Sequence, residues 1–252
     1  MLDQTNTGVY PMIRAGGFNG MLVSFDEKLS EAGNRAAIAF SSAVAAENWD
    51  GVEDVSSSLV SVCIRFDPLY LPHDLLRSKL QKLLKSADWD QAGLPEGRRF
   101  WRIPTVFGTE LAPQLGEAAD AAGLSEAEAI ASISETRVRV QTIGFAPGQP
   151  YLGELPEAWD IPRQSELTGQ IPAGALAVAI RQMVLFSAST PTGWRHIGQT
   201  ALKLFQPHSE TPFALRAGDE AIFTPVSVDT LRAFQNDTLC NPLGGATFEV
   251  IQ

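Results

Sequence analysis

Two rhythms of apolar and polar positions run along this chain, and the change between them falls near Thr136. Before that point, alternating stretches are interleaved with runs of helical period. Met21 to Phe25 predicts a short strand, and Leu29 to Ala46 carries Ala37, Phe40 and Val44 at helical spacing with Gly51 beyond its end. Leu59 to Phe66 alternates, with Val60, Val62, Ile64 and Phe66 on one side and Ser61, Cys63 and Arg65 on the other, so it predicts a strand with one buried face. Val52 to Val55 is its expected hairpin partner. Pro72 then sits where a first helical turn tolerates it, and Leu75, Leu76, Leu80, Leu83 and Leu84 form a stripe opposite Lys79, Lys82 and Lys85. Arg99 to Pro104 reads as a returning strand, which completes the β-α-β-β-α-β order of a ferredoxin-like domain.

Leu111 to Ala122 is rich in alanine and ends at Gly123, while Ser125 and Glu128 make the S-x-x-E capping box of a second short helix. These helices are expected to bridge two domains. Beyond Thr136, Val138 and Val140 alternate with Arg137 and Arg139. Later runs at Ala175 to Ile180, Met183 to Phe186, Ala201 to Phe205, Ala221 to Phe223 and Thr247 to Ile251 are short and punctuated by Gly or Pro. Such a half is all-β, either a small barrel or a sandwich. The expected organisation is therefore α+β, with a ferredoxin-like domain over residues 1–106, a helical connector over 107–135 and a β domain over 136–252.

A chain of 252 residues with 44% hydrophobic content supports one large core or two ordinary ones. Its net charge of -10 argues against nonspecific nucleic-acid binding, which needs a basic face. Two cysteines, Cys63 and Cys240, make neither a disulfide framework nor a zinc site, and both are expected to be thiols. The N-terminal residues lack the blocks of a signal peptide, and no apolar run approaches the roughly 18 residues that span a bilayer, so the reading is cytoplasmic with no membrane association.

The chemistry concentrates between Gly144 and Thr200, where tight-turn glycines, prolines, aromatics and cations share one polar segment that predicts shaped loops. Arg163, after Pro162, offers a fork that can hold a carboxylate or phosphate through two parallel hydrogen bonds. Arg195 and His196 follow Trp194, and in an extended segment they point to opposite faces, so only one can line a given pocket. His196 is a candidate general acid or base. Tyr151 and Trp194 can wall a small ring or plug a barrel end. Gly148, Gly153, Gly174 and Gly193 are read as backbone devices, and Gly174 can also bring an amide to a ligand oxyanion. No P-loop, H-E-x-x-H, paired C-x-x-C or G-x-S-x-G elbow occurs, and no metal site is expected.

Gly144 to Leu155 (G-F-A-P-G-Q-P-Y-L-G-E-L), Pro162-Arg163, Ile171 to Ala175 (I-P-A-G-A) and Pro191 to Thr200 (P-T-G-W-R-H-I-G-Q-T) together resemble the signature of the family of 5-oxoprolinase B subunits, also described as allophanate hydrolase subunit 1 or KipI-type kinase inhibitors. M-L-V-S-F and C-I-R-F-D-P agree more loosely. The resemblance implies an N-terminal ferredoxin-like domain followed by a C-terminal cyclophilin-like β-barrel. It also implies a KipA-like partner, the C subunit of 5-oxoprolinase, and a further LamB-like protein, its A subunit. The implied activity is ATP-dependent hydrolysis of a small amide or lactam, 5-oxoproline to glutamate, with ATP and Mg bound jointly with the partner and no covalent cofactor. Arg163 and His196 are the candidate catalytic residues, and Gly148, Tyr151, Pro172, Gly174, Trp194 and Arg195 the candidate substrate-binding ones. A histidine-kinase inhibitor without catalysis and a carboxyltransferase component of the allophanate hydrolase or urea carboxylase type are the alternatives. The chain departs from the signature at Gln149, Thr168, Ala175, Thr192 and Gln199, and Ile133 and Val138 stand where His and Tyr are common in the family. Thr and Gln supply no charged donor there.

Overall fold

The computed structural model describes residues 10–237 and 241–251. Two compact units divide the chain between Pro95 and Glu96. The first holds strands β1 (Met12–Ala15), β2 (Gly20–Ser24), β3 (Val52–Ser58) and β4 (Ser61–Phe66), with helices α1 (Glu31–Ala46) and α2 (His73–Leu84). Its sheet runs β1-β2-β4-β3, antiparallel throughout. The alternation of β4 acts as its pattern requires: Val62, Ile64 and Phe66 are buried with Met21 and Val23 against Phe40, Val44, Leu76 and Leu80. Ser30 caps α1 by accepting from the Gly33 amide. Leu75 stays exposed, so the buried stripe of α2 is narrower than the sequence suggests.

The expected returning strand is absent from this sheet. Met12–Ala15 pairs with β2 and takes the edge that Arg99 to Pro104 would have filled. Those residues belong instead to β5 (Arg98–Phe107), a strand of the second unit. The reason is burial on both faces of β5, where Phe100, Trp101, Ile103, Val106 and Phe107 are all covered, a demand that the first unit's sheet, open on the Cys63 and Arg65 face of β4, does not meet. The ferredoxin-like strand order expected over residues 1–106 is corrected accordingly.

The second unit continues with α3 (Leu115–Ala122), α4 (Glu126–Glu135), β6 (Val138–Ile143), β7 (Pro150–Gly153), β8 (Thr168–Ile171), β9 (Ala175–Ala179), β10 (Gln182–Leu185), β11 (Thr190–Thr192), β12 (Arg195–Thr200), β13 (Glu220–Pro225), α5 (Val228–Asn236) and β14 (Thr247–Ile251). Seven strands close a barrel in the order β5-β12-β9-β10-β7-β6-β13, and β13 returns to β5 in parallel. The seam is β5 itself, with β14 and then β12 along one side and β13 along the other. β8 and β11 form a separate two-stranded ribbon.

The helical connector is also corrected. Leu115, Ala118, Ala119, Ala129 and Ile133 of α3 and α4 lie in one apolar cluster with Trp101, Val140, Leu176, Met183 and Phe223, so these helices are part of the barrel unit's core. The Ser125–Glu128 capping box forms as the sequence predicts. Ala201 to Phe205 is not a strand; only Phe205 makes an isolated bridge, to Phe213. Cys63 is a free, half-buried thiol, and Cys240 lies outside the described residues, as do the N-terminal residues read for a leader. Among the described residues, no helix is long and apolar enough to cross a membrane.

Candidate functional site

The loop-rich segment folds into two clefts on the barrel unit. The first, of about 300 Å³, is lined by Gln149, Tyr151, Arg163, Gln164, Thr192 and Trp194, with Phe145 and Leu167 on its rim. β7 supplies Tyr151, and the turn between β11 and β12 supplies Trp194, whose amide donates to Thr192 Oγ1 at 3.0 Å. Trp194 is buried with Ile171, Val184 and Phe186, and Tyr151 meets its ring edge-on at 6.1 Å between centroids. The aromatic pair therefore both packs the barrel end and walls the cleft. The Arg163 guanidinium lies 5.0 Å from the centre of the Trp194 ring and makes no ion pair with any described residue. A stacked guanidinium keeps its planar fork in place while its donors stay free for an anion.

Arg195 does something else. Its side chain pairs with Glu117 of α3 at 2.9 Å and donates to the Pro162 carbonyl at 2.6 Å, so it holds the segment that carries Arg163 and does not face the cleft. Phe145 has a left-handed backbone (φ 70) and is 77% exposed.

The second cleft, of about 670 Å³, is lined by Gln114, Thr168, Gln170, Pro172, His196 and Gln199, among others. The structure thus separates His196 from Arg163, and the opposed directions of neighbouring residues in a strand turn His196 away from Arg195. Between the clefts stands a polar partition. Gln114 Nε2 donates to Gln164 Oε1 at 2.8 Å, and Gln164 Nε2 donates to Thr168 Oγ1 at 3.0 Å and to the Trp194 carbonyl at 3.1 Å. Gln114 Oε1 in turn accepts from the His196 amide. Gln114 and Gln164 do not stand out in the sequence. Neutral residues with no periodic pattern leave only their position beside Pro113 and Arg163 as a signal.

His196 is 3% exposed, and its Nε2 lies 3.0 Å from the Gly198 carbonyl. A carbonyl only accepts, so the neutral ring carries its proton on Nε2. Burial pushes the pKa below the usual 6.5, opposed by the Gly198 carbonyl and by the Gln199 side chain. Gln199 Oε1 is buried and makes no hydrogen bond of normal geometry, so its pull on the ring is electrostatic. Because the folded pKa is depressed, the unfolded chain binds more protons between the two values. Stability from neutral His196 is complete above the unfolded pKa and is lost as pH falls through the folded one. We expect the melting temperature of the wild type to drop from pH 7.5 to pH 5 more steeply than that of His196→Gln, as followed by circular dichroism; equal slopes would refute this.

Gly174 does not offer its amide to a ligand, because its N–H donates to the Phe186 carbonyl at 2.8 Å and its carbonyl accepts from the Thr200 amide. Its φ is 79, and an added Cβ would meet the Thr200 carbonyl oxygen at 2.5 Å. Gly174→Ala is expected to destabilise the protein by about 1–3 kcal/mol, read from the urea midpoint; an unchanged midpoint would contradict it. Gly148, at φ 71, likewise lies where a Cβ would meet the Leu204 carbonyl at 2.8 Å. Pro172 lines the second cleft, while Gly174 lies in a neighbouring hollow with Ser187 and Thr200. Ile133 and Val138 are core residues and reach neither cleft.

Residues 11–215 match the family described as carboxyltransferase domain, subdomain C and D. The B subunit of 5-oxoprolinase from Escherichia coli O157:H7 is 37% identical over 154 residues, which is 61% of this chain and 70% of that protein. Its counterpart of the same name from Bacillus subtilis (strain 168) is 30% identical over 230 residues, 88% of this chain and 95% of that protein. The crystal structure of TTHA0988 in space group P212121 superposes with a TM-score of 0.70 at 31% identity over 86% of this chain, and the chain spans 40% of that longer protein.

Proposed function

This chain belongs to the carboxyltransferase domain, subdomain C and D family, and from that premise we propose that it is one component of an ATP-dependent amide or lactam hydrolase of the 5-oxoprolinase type. It opens 5-oxoproline to glutamate together with a KipA-like partner and a LamB-like protein. The observation that carries this reading is the unpaired Arg163 guanidinium stacked on Trp194 inside a small cleft. Arg163, exposed at the cleft mouth, neutralises a carboxylate or phosphoryl group of the substrate, and Tyr151 and Trp194 form the apolar wall beside it. Arg195 positions the segment through the Pro162 carbonyl.

The residues fit one phosphoryl or carboxylate group rather than a whole nucleotide, because the cleft is about 300 Å³ and Arg163 is its single cation. Among the described residues no cluster of His, Cys, Asp or Glu is placed to hold a metal ion. In this reading ATP and Mg therefore lie chiefly against the partner. ATP, when bound, supplies the phosphoryl group that activates an amide oxygen. Phe145, 77% exposed, and Leu167, 73% exposed, are apolar rim residues that a partner's surface would cover.

The test is to co-purify the chain with its partners and follow ATP-dependent glutamate release from 5-oxoproline. Turnover only when this chain and ATP are both present is the expected result. A stable complex with a histidine kinase and no turnover would replace this reading with the inhibitor one.

A further inference from the structure

Arg163 sits in a stretch without regular structure, residues 160–167, so the aim of its guanidinium depends on what holds the residues either side of it. Both are held from the start of α3. Gln114 occupies the N-cap position of that helix, yet its side chain makes no capping bond, and Glu117 is the third helical residue. Their polar groups are turned toward the loop instead.

Gln114 is locked to β12 on two sides: its N–H donates to the His196 carbonyl at 3.1 Å, and its Oε1 accepts from the His196 amide at 2.9 Å. A backbone N–H only donates, which identifies Oε1 and makes Nε2 the donor to Gln164 Oε1 at 2.8 Å. Gln164 is assigned in the same way, because its Nε2 meets the Trp194 carbonyl at 3.1 Å, while its backbone N–H donates to the Gly193 carbonyl at 2.8 Å. The residue after Arg163 is thereby fixed by main chain and side chain alike. On the other side the Pro162 carbonyl accepts from Arg195, whose Nε donates to Glu117 at 2.9 Å. The Glu117 side chain is 52% exposed, and an ion pair so open to water adds little to stability. Its effect is on direction.

We infer that Gln114 and Glu117 are positioning residues for Arg163, Gln114 acting through Gln164 and Glu117 through Arg195 and the Pro162 carbonyl. Neither lines the Arg163 cleft, so neither touches what that cleft holds. Together they set the guanidinium over the Trp194 ring. The inference rests on the reading of Arg163 as the anion-holding group, and it adds the source of that group's aim.

The first measurement needs no turnover. In the full chain alone, without ATP or partners, the Arg163 side-chain protons lie over the Trp194 ring and are displaced by its ring current in the NMR spectrum, signals assigned by their loss in Arg163→Ala. Gln114→Glu keeps an acceptor for the His196 amide but no donor for Gln164, and it is expected to return those protons toward their random-coil positions. Glu117→Ala should do the same, and Glu117→Gln, which still accepts from Arg195, should restore the displacement. A displacement unchanged in either Gln114→Glu or Glu117→Ala strikes that residue from the proposal. The second measurement is a double-mutant cycle in the assembled complex. Each substitution should lower kcat for 5-oxoproline by about 10–10²-fold in the wild-type background and cost nothing further once Arg163→Ala is present. Losses that add to that of Arg163→Ala would mark a merely structural role and overturn the inference. Full turnover in Arg163→Ala would instead remove the catalytic reading of Arg163, while the ring-current test still decides whether α3 positions it.

Discussion

Arg163→Ala in the assembled complex should lower turnover of 5-oxoproline by about 10²–10³-fold while the melting temperature stays within error. The size follows from removing a preorganised donor aimed at developing charge. The unchanged stability follows from the guanidinium's surroundings, since it makes no ion pair with a described residue and contributes only its stacking on Trp194. Arg163→Lys keeps the charge but not the planar fork, and should recover part of the rate. If the residue acts on the transition state, kcat falls more than KM rises; if it only holds substrate, KM carries the loss. Full activity in Arg163→Ala would remove the residue from the site and leave the first cleft without its cation.

The largest stability effect is expected at Asp219, far from either cleft in function but central to the barrel. It is 2% exposed, and its carboxylate accepts from the Arg99 amide at 2.9 Å, the Arg99 guanidinium at 2.5 Å, the Trp101 indole at 3.3 Å and the Arg216 amide at 3.0 Å. The Arg99 guanidinium also lies against the rings of Trp101 and Phe248, 5.0 and 5.3 Å from their centres. Removing the carboxylate strands a guanidinium that is itself largely covered, so Asp219→Ala should cost about 3–5 kcal/mol, measured by urea unfolding. Asp219→Asn keeps two acceptor lone pairs and should cost less. A loss under about 1 kcal/mol for Asp219→Ala would mean that the pair is effectively solvated.

The helices and strands with one buried face are readable from the sequence because their own periodicity encodes the burial. α1 and β4 are the clearest cases, and the Ser125–Glu128 cap announces α4 directly. Arg99 to Pro104 is recognisable as a strand but not as a barrel strand, since the residues that pair with it lie at positions 220–224 and 247–250. Met12–Ala15 escapes notice because four residues carry too short a pattern. Within the site, Arg163, Tyr151 and Trp194, all from the loop-rich segment that stands out in the sequence, line one cleft. The separation of His196 from Arg163 is not legible there, because it depends on a partition built from Gln114 and Gln164, whose hydrogen bonds join residues fifty positions apart. Gln149, Thr168 and Gln199 stand out as departures from a signature, yet only the fold reveals that they carry orphaned or doubly engaged polar atoms.

The seam at β5 bears on how the protein comes off the ribosome. β5 is the first barrel strand to emerge, yet its lateral partners are β12, β13 and β14, so a nascent chain displays an apolar ribbon with no neighbour until those distant strands have been made. Closure of such distant pairings is entropically slow, on the order of milliseconds to seconds, and the exposed ribbon is the stretch of this molecule that most needs shielding from other chains during synthesis.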